Sequence, residues 1–192
     1  MRNSVTFFRI VKTWAVGVFA ALSILSAVGD LQATVLITVE EALDLAFPEA
    51  EATRETLFLT EGQLSSAAVA AEVEIGGAMV TRFVVRRDGE VVGFAYVDTH
   101  RVRTLPETLL VVLAADGSVR RVEVAAFREP LDYKPGDAWY RQFDDEELDR
   151  NLSLNRDIRP ITGATLTARA TTDAVRRVLA IHSAVTGNGE SP

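Results

Sequence analysis

The 192-residue chain contains no cysteine. That single absence removes disulfides, thiolate metal sites, iron–sulfur clusters and the Cys-x-x-Cys-His haem attachment. Histidine is nearly as scarce. His100 and His182 are the only two, too few for a multi-histidine zinc site. Any redox role therefore needs an organic cofactor. Basic charge is short as well: 20 Lys and Arg stand against 27 Asp and Glu, for a net charge of −7. An acidic body argues against nucleic acid, which needs a basic footprint. No Gly-x-Gly-x-x-Gly follows a predicted strand, so a Rossmann dinucleotide site is not supported.

What is present begins with an asymmetric N-terminus. Residues 1–33 hold Arg2, Arg9 and Lys12 against Asp30, net +2 of the total −7, which leaves −9 for the rest. An uncharged run of seventeen residues, Thr13 to Gly29, follows the cations. Basic then apolar is the order of an export signal. The run is longer than a usual signal core and short of the ~20 residues of a spanning helix. Ala27-Val28-Gly29 offers a cleavage site and Leu31-Gln32-Ala33 a poorer one. Residues 1–33 are thus expected to be a signal peptide or a membrane anchor. Either would put the domain on the extracytoplasmic side of a bacterial inner membrane.

The rest has apolar content enough for one ordinary core, the chain as a whole being 48 % apolar. Thr38, with Glu41 three residues on, predicts a capped helix that Pro48 ends, with Ala42, Leu45 and Ala46 on one face. Thr56–Leu59 reads as a strand, and Thr60 with Gln63 starts a second helix through Ala71. The acids Glu49, Glu51 and Glu55 lack ligand spacing and read as solvated surface. Asp88-Gly89 joins a strand over 81–86 to one over 91–97, and Asp116-Gly117 joins 109–114 to 119–125. Asp98–Arg103 is read as the link between the two hairpins. The expected fold is α+β, an antiparallel meander with helices packed on one face.

The last third carries the chemistry. Thr162-Gly163-Ala164-Thr165-Leu166-Thr167 places small residues and hydroxyls just before an amphipathic helix. Backbone N–H groups at a helix start, with the positive end of the helix dipole, suit an anion such as phosphate. A plain capped helix start is the commoner occupant of such a sequence. In that helix Ala174, Val175, Val178 and Leu179 form one stripe, with Arg169, Arg176 and Arg177 expected toward solvent. Thr171 and Thr172 are expected at the surface or back-bonding, and His182 near the helix end is expected to be structural, where a cation is favourable. Trp139, Tyr140 and Phe143 are spaced for one face of a helical turn and read as core before cofactor stack. Leu148, Leu152 and Leu154 tie down an otherwise charged stretch.

Thr162–Thr167 resembles the Ser/Thr-Gly-Ala-Thr motif of the FMN-binding domain family, which includes extracytoplasmic flavin subunits of the Rnf and sodium-translocating NADH:quinone oxidoreductase complexes. Looser likenesses run from about Thr38 to His182, through Val92–Tyr96, Phe127–Pro130 and Trp139–Phe143. The resemblance implies an FMN-binding domain over 34–187; Thr186-Gly187-Asn188-Gly189 ends the fold, and 188–192 is expected to be a disordered tail. It implies FMN joined through a phosphoester to Thr165 by a separate flavin transferase, with Thr162, Gly163, Ala164, Leu166 and Thr167 around the phosphate. It further implies membrane-bound or extracytoplasmic electron-transfer partners, Glu129 beside the flavin, and a flavin-facing role for His100 or Arg103. One position departs: Arg159 stands where the family usually has Asp, three residues before the motif, and Asp157 lies two residues further upstream. A non-redox ligand-binding or structural module on the same scaffold, one that has lost flavinylation, is the alternative.

Overall fold

The computed structural model describes residues 34–187; the expected signal or anchor (1–33) and the expected tail (188–192) lie outside them. Within that range the fold is α+β. Five long antiparallel strands run as β2 (Glu51–Phe58), β3 (Met79–Arg87), β4 (Glu90–Arg101), β5 (Pro106–Ala114) and β6 (Val119–Phe127). A two-residue strand, β1 (Thr34–Val35), adds to the edge, giving the order β1-β6-β5-β4-β3-β2. The meander is therefore present, closed at β6 by the chain entering from the N-terminal side.

Local chemistry explains most of the elements. Helix α1 (Val39–Ala46) and helix α2 (Glu61–Ala71) each begin with a complete capping box, Thr38 with Glu41 and Thr60 with Gln63. Asp88 and Gly89 both adopt positive φ in the β3–β4 turn, as a tight hairpin requires. One boundary differs from expectation. Asp98–Arg101 is not a link but the end of β4, with His100 paired to Glu107 across a third hairpin whose turn is Val102–Leu105.

The helices do not share one face. Leu109, Val111 and Leu113 of β5 pack with Tyr96 beneath α2, α3 (Asp137–Tyr140) and α4 (Thr165–Thr186). Leu110 and Val112 point the other way, to α1, where Ala42, Leu43, Ala46 and Phe47 cover them. Strand β5 is central and buried on both sides. Leu43 takes the inward place expected of Leu45, which is exposed. Gly93 marks the close approach of α1: a Cβ there would stand 2.2 Å from the Phe47 ring and 2.5 Å from the Leu113 carbonyl.

Candidate functional site

Helix α4 is the longest element among the described residues, 22 residues, and its N-terminus is left bare. Its N-cap is Ala164, which offers no side-chain acceptor, and no acid stands in its first turn. Helices α1 and α2 each spend a Thr and a Glu or Gln on the same task. The first backbone bond into this cap is from the Ala168 N–H to the Ala164 carbonyl, 2.9 Å. The N–H groups of Thr165, Leu166 and Thr167 therefore have no acceptor among the described residues, and the dipole's positive end is uncompensated.

The approach to that end is fixed from behind. Trp139 Nε1 donates to the Arg159 carbonyl at 2.7 Å, and Gln142 Oε1 accepts from the Arg159 N–H at 2.9 Å. Ile158, next to them, is fully buried. Trp139 and Phe143 are core, edge-on to one another at 5.5 Å. They serve the motif by clamping the chain that enters it. Position 159 is held through its backbone, and its Arg side chain is exposed.

Gly163 then turns the chain at φ +87°, a backbone that favours glycine. An added Cβ would meet nothing within 4 Å, so the reason for glycine is the turn, with open space beside it. Thr162 and Thr165 are both exposed. Thr165 Oγ1 donates to the Ile161 carbonyl at 3.2 Å, a long bond that leaves the oxygen's lone pairs outward. Leu166 is 52 % exposed and Ala164 is buried. Thr167 is buried and its hydroxyl donates to the Tyr133 carbonyl at 2.6 Å, so only its backbone N–H is left for a ligand. A cleft of about 190 Å³ opens over these residues, lined by Gly163, Ala164, Thr165, Leu166, Thr167, Tyr133 and Arg103. Tyr133 gave no sequence signal, since its place depends on the bond from Thr167.

The two ionisable candidates lie elsewhere. His100 does not line the cleft. It stands on β4, Nδ1 2.9 Å from Asp98 and Nε2 3.1 Å from the fully buried Glu107. Burial alone would lower its pKa, but bonds to Asp98 and Glu107 prevail and raise it to about 9. Arg177 completes the cluster at 2.9 Å from Asp98, and Thr171 bonds Glu107 at 3.3 Å. Both ring nitrogens of His100 are engaged, so it is not a free acid or base. Glu129 is buried at the end of β6, accepting from the N–H groups of Leu105 and Thr104 at 2.9 and 2.7 Å, which hold its pKa below the ordinary range. It fastens the β4–β5 turn and does not reach the cleft itself.

On α4 the placement of Arg176 and Thr171 and the charge of His182 are corrected, while Thr172 back-bonds and His182 is structural as expected. Arg176 is buried, donating to the carbonyls of Ala71, Asp149 and Leu152. Thr171 is fully buried, and Thr172, also buried, back-bonds to the Ala168 carbonyl at 2.8 Å. His182 bonds the Tyr96 hydroxyl at 2.9 Å, and burial with Arg82 lowers its pKa, so it is a neutral core residue and no cation.

The described residues form an α+β domain in which a bare helix N-terminus, an open hydroxyl and a guanidinium border one cleft. Residues 75–180 match the FMN-binding domain, more than half of the chain, and the chain belongs to that family. The domain binds flavin, and its cofactor is FMN. The match is narrower than 38–182, but it contains Val92–Tyr96, Phe127–Pro130, Trp139–Phe143 and the motif. Comparison with curated proteins and with solved structures gave no match.

Proposed function

We propose that this protein is an extracytoplasmic electron carrier whose FMN is joined through its phosphate to Thr165 Oγ1. The observation that carries the reading is the bare N-terminus of α4 beside an exposed threonine hydroxyl, inside an FMN-binding domain. FMN, when bound, supplies one- and two-electron redox chemistry; the chain supplies binding and orientation. The phosphate's charge falls to the N–H groups of Thr165, Leu166 and Thr167. A cleft of about 190 Å³ is smaller than the ~300–1,000 Å³ of sites that enclose a ligand of this size. It suits the phosphate end, leaving the rest of the cofactor against the surface, where a partner can exchange electrons with it. Attachment needs an activated donor, an FMN phosphoanhydride, and a flavin transferase. Thr165 Oγ1 gains the bond to the FMN phosphorus, the anhydride P–O bond breaks, the group on the other side of the anhydride leaves as its monophosphate, and the hydroxyl proton passes to solvent.

The location rests on the basic flank and uncharged run of residues 1–33. A covalent link suits that side of the membrane, because an exported flavin cannot then be lost by dissociation. Its partners in this reading are membrane-bound or extracytoplasmic electron-transfer proteins. Arg159 favours the second reading, a module of the same fold that carries no covalent flavin. Producing the full chain with a flavin transferase separates the two. Flavin fluorescence should stay with the wild-type band in a denaturing gel and vanish from Thr165→Ala. A wild-type band without flavin fluorescence would support the second reading.

A further inference from the structure

The β4–β5 turn is more firmly built than a surface turn of four residues needs to be. Glu129, from the far end of β6, accepts from the backbone N–H groups of Thr104 and Leu105 and from the Thr104 hydroxyl at 3.4 Å. Arg101 donates to the Thr104 carbonyl at 2.8 Å, and the Val102 N–H bonds the Leu105 carbonyl at 3.1 Å. A buried carboxylate is thus committed to holding main chain. The side chain this turn presents is Arg103. Its guanidinium lies over the Tyr133 ring, 4.8 Å from the centroid, on the wall of the cleft that holds Gly163–Thr167. It has no hydrogen-bond or ion-pair partner among the described residues, and no acid lines the cleft. Tyr133 is itself tied to the motif by Thr167. The unpaired guanidinium and the residues bearing three unpaired N–H groups thus line one cleft, a site of one charge sign.

We propose that Arg103 is the ion partner of the FMN phosphate, and that Glu129 is its positioning residue. This rests on the reading that the motif holds FMN. A guanidinium presents paired donors that match two phosphate oxygens, which an ammonium cannot do. Once the phosphate is esterified to Thr165 it retains one negative charge, and Arg103 neutralises it from its place over Tyr133 in the same cleft. The inward carboxylate of Glu129 acts only through the turn, so its effect must depend on Arg103 being there.

The test uses the full chain, a flavin transferase and its flavin donor, with two readouts: the initial rate of flavin incorporation by intact mass, and the 31P shift of the loaded protein. Arg103→Ala should slow incorporation about tenfold or more, the loss expected for one charge-assisted pair, and should move the 31P resonance. Arg103→Lys should recover part of the rate. Arg54→Ala, on exposed edge strand β2, should change neither. Glu129→Gln should slow incorporation when Arg103 is present and add nothing in the Arg103→Ala background. Thermal unfolding of each variant checks the fold, and Arg103→Lys keeps the test decisive should Arg103→Ala unfold. Wild-type loading with an unchanged rate and 31P shift in Arg103→Ala would overturn the proposal alone. So would full additivity of the two substitutions. A wild-type chain that takes no flavin would overturn the parent reading and this one with it.

Discussion

Two buried oxygens stand out at the level of single residues. Glu107 Oε2 is bonded to His100 and Thr171, but Oε1 has no partner, and the hydroxyl of Tyr140 is likewise buried without one. Burial raises the Tyr140 pKa, with the Glu107 charge adding to it, so the hydroxyl stays neutral. The hydroxyl lies near the Glu107 carboxylate and Thr171 without a bond of ordinary geometry to either, so it recovers little of its desolvation cost. Tyr140→Phe should therefore leave the urea midpoint unchanged or raise stability by up to about 1 kcal/mol. A loss of more than about 1 kcal/mol would mean that the hydroxyl makes a bond. At this scale the sequence was readable where the partner is close by. The capping pairs Thr38–Glu41 and Thr60–Gln63 are three residues apart and were legible. So was the turn at Gly163. Arg103 was legible only as a neighbour of His100, because what directs it is Glu129, which lies 26 positions along the chain and acts through the backbone.

Helix α4 is both the wall of the site and the spine of one core. Its apolar stripe, Ala174, Val175, Val178 and Leu179, is buried as its periodicity implied. Arg176 was misread because the carbonyls it serves, on α2 and on the 149–152 segment, come from remote parts of the chain. No local pattern marks an arginine as the cap of another helix's end. Arg176→Met keeps the aliphatic bulk but leaves the Ala71, Asp149 and Leu152 carbonyls without their donor. It should cost about 3 kcal/mol in urea unfolding. A cost below about 1 kcal/mol would show that water replaces the guanidinium. The second helix-bearing face was missed for a different reason. Leu109–Leu113 is apolar without alternation, the pattern of a strand covered on both sides. The hairpin signals around it fit equally well with a sheet covered once.

Across the whole molecule, the ion cluster of Asp98, His100, Glu107 and Arg177 joins β4, β5 and α4. Native His100 holds its proton up to about pH 9, whereas the unfolded chain releases it near 6.5. Its contribution is complete below pH 6.5 and is lost as pH rises through 9, a fall on the order of 1–3 kcal/mol. On the acid side His182 acts oppositely. Its lowered pKa means that the unfolded chain gains a proton first as pH falls below 6.5, which also destabilises the fold. Urea midpoints should be highest near neutral pH, and His100→Gln should flatten the alkaline limb. An alkaline limb unchanged by that substitution would remove His100 as its cause.

All of this framework holds one surface feature in place, the bare start of α4 with Thr165 beside it. Digestion of the flavin-loaded chain with trypsin, which cuts after Arg156 and Arg169 and is blocked by Pro160 after Arg159, isolates Asp157–Arg169 with all three motif threonines. Fragmentation of that peptide should place the mass of FMN less one water on Thr165 alone. The same mass on Thr162 or Thr167, or an unmodified peptide from a flavin-bearing chain, would contradict attachment at Thr165.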